Sequence, residues 1–271
     1  MITHRLDLGD YSLAVHEAGA GPTLVFGHSL TFDHRMFLAQ VEELSKTYRV
    51  LLVDLHGQGE SSAPDDYFTL DDMADDVDRA LGVLDAGKVC YLGHSMGGMV
   101  GMRLAIRHPE RVGALVLMNT SAEAEPPPVQ ELYHSVNEGS RGKPSNEATV
   151  GFLMNLMFSR EFRDACPERV ASYEHQLFNP PDPEGVYFAA HAVIWREEIL
   201  QALSTLDVPA LVVGAQEDSS VPLKHQEQIA AHLPGAHLAV IDACGHMAPV
   251  EQPEELIGYL RDFLDTHWSA V

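Results

Sequence analysis

Tyr91-Leu92-Gly93-His94-Ser95-Met96-Gly97-Gly98-Met99 joins an apolar, strand-like run, Val89-Cys90-Tyr91-Leu92, to an amphipathic helical pattern over 95–108. A G-x-S-x-G sequence in that setting reads as a sharp strand-to-helix turn. Such a turn strains the backbone of Ser95 and brings neighbouring chain close, so glycines at 93 and 97 supply the room. The Ser95 hydroxyl is thereby held out of the sheet. The first helical turn presents N–H groups and a partial positive charge to an oxygen on which negative charge develops. Met96 N–H is the first such donor.

A serine alcohol is a weak nucleophile near neutral pH and needs a base, which in turn needs an orienting acid. After a G-x-S-x-G turn the chain order is nucleophile, acid, histidine. Val213-Gly214-Ala215-Gln216-Glu217-Asp218 places Asp218 in the loop after the next-to-last strand-like run. The last such run leads through Asp242-Ala243-Cys244-Gly245 to His246, ahead of a helix opened by Pro253. Asp218 and His246 are therefore the expected acid and base, with Glu217 and then Asp242 as weaker alternatives for the acid. His94 neighbours the nucleophile, but the turn directs adjacent side chains apart, so packing is expected of it. A second oxyanion donor is expected from Phe26-Gly27-His28-Ser29-Leu30-Thr31, at Leu30 N–H. His28 there reads as a loop brace, and Cys244 as structural.

Outward from this centre the chain alternates. Ile2 to Leu8 and Tyr11 to Glu17 flank Gly9-Asp10, a two-residue hairpin signal. Further apolar runs are Thr23-Leu24-Val25-Phe26, Val50-Leu51-Leu52-Val53, Ala114-Leu115-Val116-Leu117-Met118, Ala210-Leu211-Val212-Val213 and Leu238-Ala239-Val240-Ile241. Continuous apolar runs of this length suit strands covered on both faces. Helical periodicity fills 35–46, 70–86, 95–108, 223–233 and 253–267. The rhythm stops after Thr120, where Glu123-Ala124-Glu125-Pro126-Pro127-Pro128 breaks regular structure, and resumes near Val208-Pro209. The expectation is an α/β core made of 1–121 and 206–271, with a mostly parallel eight-stranded sheet between helices, interrupted by a helical lid over 122–205.

At 271 residues the chain suits one such domain with a modest insertion. Seventeen basic against forty acidic residues give a net charge of -23, which opposes nucleic acid and anionic membranes in the absence of a basic cluster. The acid-rich stretch around Asp71, Asp72, Asp75, Asp76 and Asp78 reads as a solvated helix face. No apolar run approaches the ~18 residues of a membrane span. The opening residues lack a signal-peptide pattern, so a cytoplasmic location is expected. Cys90, Cys166 and Cys244 are odd in number and widely spaced, and the fifteen histidines show no HExxH. Neither disulfide, metal nor cofactor is expected.

On these residues the chain resembles the α/β-hydrolase superfamily outside the lid. Asp54-Leu55-His56-Gly57-Gln58-Gly59-Glu60-Ser61-Ser62 is similar to that superfamily's D-x-x-G-x-G-x-S turn, and Gly245-His246 with Glu251-Gln252-Pro253-Glu254-Glu255 to its histidine loop and following helix. His28-Ser29-Leu30-Thr31-Phe32-Asp33 more weakly resembles the Asn-Ser-Leu-Gly-Thr-Asp stretch of 3-oxoadipate enol-lactone hydrolases, as does the lid exit from Tyr187 through Arg196-Glu197-Glu198-Ile199. The resemblance implies a serine hydrolase acting on a small carboxylic ester or lactone through an acyl-enzyme, enol-lactones included. The alternatives are a carbon–carbon bond hydrolase of a β-diketone or vinylogous acid using the same residues, and a non-catalytic relative that binds a small molecule. An enol-lactone would bring a carboxylate into an acidic protein, which asks for a cation in the pocket. Arg196 and its neighbour Trp195 are the candidate substrate contacts, with Arg196 the first candidate for the cation, followed by Arg160 and Arg163.

Overall fold

A computed structural model describes residues 1–143 and 145–268. The strands are β1 (Ile2–Asp7), β2 (Ser12–Ala18), β3 (Thr23–Gly27), β4 (Arg49–Asp54), β5 (Val89–His94), β6 (Val112–Met118), β7 (Ala210–Ala215) and β8 (Ala236–Ile241). They form one eight-stranded sheet in the order β1-β2-β4-β3-β5-β6-β7-β8. β1 and β2 form the hairpin expected around Gly9-Asp10, and β2 runs antiparallel to β4; the other pairings are parallel.

Helices of the core are α1 (Leu38–Leu44), preceded by a 3₁₀ turn (His34–Phe37), α2 (Leu70–Val83) and α3 (Met96–Arg107). Between β6 and β7 lie α4 (Pro127–Ser140), α5 (Glu147–Met157), α6 (Arg160–Ala165), α7 (Pro167–Phe178), α8 (Pro183–Ile194) and α9 (Leu200–Leu203). After β7 come α10 (Lys224–His232), α11 (Ala248–Glu251) and α12 (Pro253–His267). The proline run at 126–128 does not end order but opens α4, where the missing proline N–H costs nothing. A backbone bond from Ile199 N–H to the Ala122 carbonyl joins the two ends of the inserted helical segment.

The apolar runs feed two cores, one on each face of the sheet, because successive strand residues point to opposite sides. Val25, Leu51, Val53, Tyr91, Leu115 and Leu117 pack with α2 and α3 residues such as Met73, Val77 and Val100. Leu24, Phe26, Val50, Leu52, Leu92 and Val116 pack with α12 residues Leu256, Leu260, Phe263 and Leu264. β8 departs from the expected double coverage: it is an edge strand, and Leu238 is 39% exposed. The acid-rich face of α2 also differs from expectation. Asp76 is buried and accepts from Tyr11 and from His56 Nε2, while Asp71, Asp75 and Asp78 pair with Arg103, Arg107 and Arg111, which lie on α3 or just beyond it. Packing of α2 against α3 supplies the partners that a single helix could not reveal.

The strand order places the site. β3 lies between β4 and β5, so the chain leaving β3 turns one way and the chain leaving β5 the other. Their carboxyl ends, in register at Gly27 and Gly93, open the crevice in which open α/β sheets bind ligands.

Candidate active site

Ser95 follows the last residue of β5 and precedes α3, with φ 53° and ψ −117°, a left-handed backbone that an L-residue adopts only under strain. Three bonds hold the turn. Ser95 N–H donates to the Met118 carbonyl (2.9 Å), Thr120 Oγ1 donates to the Ser95 carbonyl (2.7 Å), and Gly97 N–H donates to the His28 carbonyl (2.9 Å). A Cβ on Gly97 would overlap the backbone of Gly27, so the close approach of α3 to β3 requires glycine there.

His246 is fully buried, and its Nδ1–H donates to Asp218 Oδ2 at 2.8 Å. Among the described residues its Nε2 has no hydrogen-bond partner. Asp218 lies in the loop after β7 and is saturated: Oδ1 accepts from Ser220 N–H (2.9 Å) and Val221 N–H (2.8 Å), and Oδ2 also accepts from Asn119 Nδ2 (2.9 Å). Glu217 and Asp242, the alternative acids, are exposed. The order of the loop turns Asp218 inward and Glu217 out.

His94 does more than pack. Its Nε2–H donates to the His246 carbonyl at 2.7 Å, and the two rings meet edge to face with centroids 4.8 Å apart. Burial and the neighbouring His246 hold its pKa well below 6.5, so the ring is neutral and its tautomer follows from that one bond. His28 is a brace, as its position suggested. Its Nδ1–H donates to the Ser29 carbonyl (2.8 Å), and its Nε2 accepts from Leu55 N–H (2.7 Å). Together with Thr31, which has φ 69° and donates its N–H to Gln58 Oε1, this fixes the loop carrying Leu30. Among the described residues, neither Leu30 N–H nor Met96 N–H is used by a turn or cap bond. Met96 is the first residue of α3, where the helix leaves its N–H groups unpaired.

Ser95, Leu30 and Met96 line a cavity of ≈ 200 Å³ roofed by the inserted helices. α5 contributes Phe152, Leu153, Leu156 and Met157, and α8 contributes Val186, Ala190, Val193 and Ile194. The charged residues on this wall are Arg196 and Glu125, and they pair with each other at 2.8 Å. Arg196 also donates to the Glu123 and Val193 carbonyls. Each of the three guanidinium nitrogens thus has a protein partner, and one of those partners, Glu125, shares the cavity wall. Trp195 does not line the cavity: it is 45% exposed and lies against His134 and His191. As the C-cap of α8 it points away from the face that Ile194 presents inward. Arg160 pairs with Asp164 on the exposed side of α6, and Arg163 bonds Asn155, so neither reaches the cavity.

His16, His34 and Asp54 bring donor atoms within 4.8 Å of one another, the one such group among the described residues. The two imidazoles are stacked with centroids 3.6 Å apart, so their in-plane lone pairs run side by side instead of converging on one ion. Both rings instead bond to the Asp54 carboxylate.

The comparisons with known proteins agree with this architecture. The family model described as "alpha/beta hydrolase fold" matches residues 22–253. RutD of Pseudomonas syringae pv. syringae (strain B728a), provisionally named a carbamate hydrolase, is 30% identical over 90% of this chain and 94% of its own. 3-Oxoadipate enol-lactonase 1 of Acinetobacter baylyi is 25% identical over 97% and 96%. Among solved structures, a thermophilic esterase from Thermogutta terrifontis, with malate bound, superposes with a TM-score of 0.91 at 29% identity, covering 98% of this chain and all of that one. The strand order, the strained turn at Ser95 and a family match over most of the length together establish that the chain belongs to the α/β-hydrolase fold family and is a hydrolase.

Proposed function

We propose that the protein is a serine hydrolase that cleaves small, uncharged carboxylic esters or lactones through an acyl-enzyme. The observation that carries this reading is the buried His246–Asp218 pair, whose Nε2 has no partner among the described residues and whose backbone is tied to His94, the residue before Ser95. Ser95 Oγ attacks the carbonyl carbon while His246 Nε2 takes its proton, and the oxyanion is received by Leu30 and Met96 N–H. Collapse expels the alkoxide, which leaves as an alcohol with the proton from His246. Water then repeats the sequence on the acyl-enzyme and releases the acid. No step calls for a cofactor. In this reading 122–205 is the lid, and its α5 and α8 faces receive the apolar part of the substrate.

Relatives named for 3-oxoadipate enol-lactone or for 2-(acetamidomethylene)succinate act on compounds that carry carboxylates. The pairing of Arg196 with Glu125 favours an uncharged substrate here. A fluorophosphonate should label Ser95 in the wild type and not in Ser95→Ala, and Ser95→Ala should lose roughly 10³-fold or more in kcat. Unlabelled wild-type protein, or a near-native rate in Ser95→Ala, overturns the nucleophile. p-Nitrophenyl butyrate should be hydrolysed with a higher kcat/KM than the singly charged mono-p-nitrophenyl succinate. The opposite preference returns Arg196 to the role of substrate ligand.

A further inference from the structure

The peptide groups on both sides of His246 are tied to the inserted helical segment. Gly245 N–H donates to Glu251 Oε2 at 3.2 Å, and the same oxygen accepts from Ser159 N–H, between α5 and α6, at 3.1 Å. Met247 N–H donates to the carbonyl of Met157, the last residue of α5, at 3.1 Å. The fit is close: a Cβ on Gly245 would stand 2.5 Å from Ser159 N and 2.8 Å from Glu251 Oε1. Glu251 Oε1 is shut off from solvent without a partner among the described residues, and burial raises the carboxyl's pKa against the N–H bonds that lower it. A carboxylate held under those conditions is a cost to the fold that a well-packed apolar side chain would avoid.

We propose that Glu251 is a positioning residue that fixes His246 to the end of α5, so that the helix lining the substrate cavity and the base it serves move as one unit. Phe152, Leu153, Leu156 and Met157 of α5 face that cavity, and the chain from Met157 to Ser159 is what Glu251 and Met247 grip. An acyl group that fills the cavity bears on α5 and, through this bridge, on the histidine turn. An acetyl group, too small to reach α5 fully, draws less on the same contact.

This inference rests on the serine mechanism proposed above, and fluorophosphonate labelling separates the two. Labelling rates, and kcat and KM on p-nitrophenyl acetate and butyrate, are compared across Glu251→Gln, Glu251→Ala, Ser159→Pro and Ser159→Ala. Glutamine retains an oxygen for both N–H groups, so Glu251→Gln should stay within about 3-fold of wild type. Glu251→Ala should lose about 10-fold or more in labelling rate and in kcat with little change in KM, as expected when a reacting group is misplaced without loss of binding. Ser159 has φ −57°, which proline adopts, so Ser159→Pro keeps the backbone angle while replacing the N–H arm with a ring methylene that pushes Glu251 away. Both Ser159 variants lose the hydroxyl cap on Phe162, and only the proline loses the N–H. Ser159→Pro should therefore label several-fold slower than Ser159→Ala, with the larger deficit on butyrate. A folded Glu251→Ala that labels at the wild-type rate overturns the proposal. So does Glu251→Gln as impaired as Glu251→Ala, or, should Glu251→Ala not fold, equal rates for the two Ser159 variants. Wild-type protein that does not label overturns the serine mechanism itself, and this inference with it.

Discussion

Asn119 carries a part of the site that motif reading passed over. It follows β6 as Ser95 follows β5, in the same left-handed region (φ 48°), and its amide is one of four donors on Asp218. Four donors on two oxygens leave the carboxylate no freedom to rotate, and His246 inherits that orientation. Asn119→Gly tolerates the same backbone conformation and removes the buried carboxamide, the Asp218 donor with it. It should lower kcat/KM by about 10- to 100-fold with the fold intact, in line with the worth of one hydrogen bond to a charged group. A wild-type rate would show that Ser220, Val221 and His246 suffice. Asp218→Asn should be far more damaging than Glu217→Gln, because the glutamate faces solvent; the reverse ranking, read from kcat/KM, would reassign the acid. Thr31 shows the same economy of backbone: its φ of 69° suits the glycine found at that place in enol-lactone hydrolases, and Gln58 compensates by accepting its N–H.

At the level of elements, the proposed acyl-enzyme makes α5 and α8 the walls against which an acyl group would fit. Ala190 lies on the cavity wall midway along α8, and Ala190→Phe adds a ring to a space of ≈ 200 Å³. Its kcat/KM for p-nitrophenyl hexanoate should fall by about 10-fold or more while p-nitrophenyl acetate changes by less than about 3-fold, since hydrophobic pockets discriminate by ~1–3 kcal/mol per methylene or two. Equal losses on both esters would mean that the acyl group does not lie against α8. The α2–α3 contact is electrostatic along its edge. Hydrogen bonds from Arg107, against a small burial penalty and helped by His108, hold the Asp75 carboxyl down to about 2. A depressed carboxylate stabilises the fold above its ordinary value of 3.8 and loses that contribution as pH falls towards 2. The pair is partly exposed, so its worth is only about 0.5–1 kcal/mol. Asp75→Asn should lower Tm by about 1–3 °C at pH 7 and by less at pH 3, and an equal loss at both would deny the ion pair.

For the molecule as a whole, stability near neutrality is governed by buried histidines. Burial keeps both His94 and His28 below 6.5, so unfolding lets them take up protons that the folded state refuses. Stability from these two is full at high pH and is lost as pH falls below 6.5. His34 acts in the opposite sense. Burial lowers its pKa, but the hydrogen bond and charge of Asp54 outweigh this and raise it, so its contribution is full below 6.5 and fades as pH rises. Asp54 itself, which burial alone would raise, is held far down by His16 and His34 and loses its contribution only in strong acid. With two fully buried rings against one, the urea midpoint should fall between pH 7.5 and 5.0, before the carboxylates titrate. His28→Gln should flatten that slope, and a profile already flat in the wild type would contradict it. None of the helices described is long and apolar enough to cross a membrane.

The alternation of strands and helices, the sharp turn at Ser95 and the positions of Asp218 and His246 at strand ends were legible in the chain alone. Each rests on local rules: periodicity, small residues where chain crosses chain, and loops that leave a parallel sheet at one edge. The interior of the cavity was not legible. An arginine on a lid helix can face a ligand or a carboxylate of its own chain, and only the packing of Ala122 to Glu125 against the end of α8 gave Arg196 its partner. The inward face of Asp76, the donation from Asn119 and the grip of Glu251 on the histidine turn likewise join residues 20 to 99 positions apart. Spacing along a chain carries no information about such pairs, because they exist only once separate elements have packed.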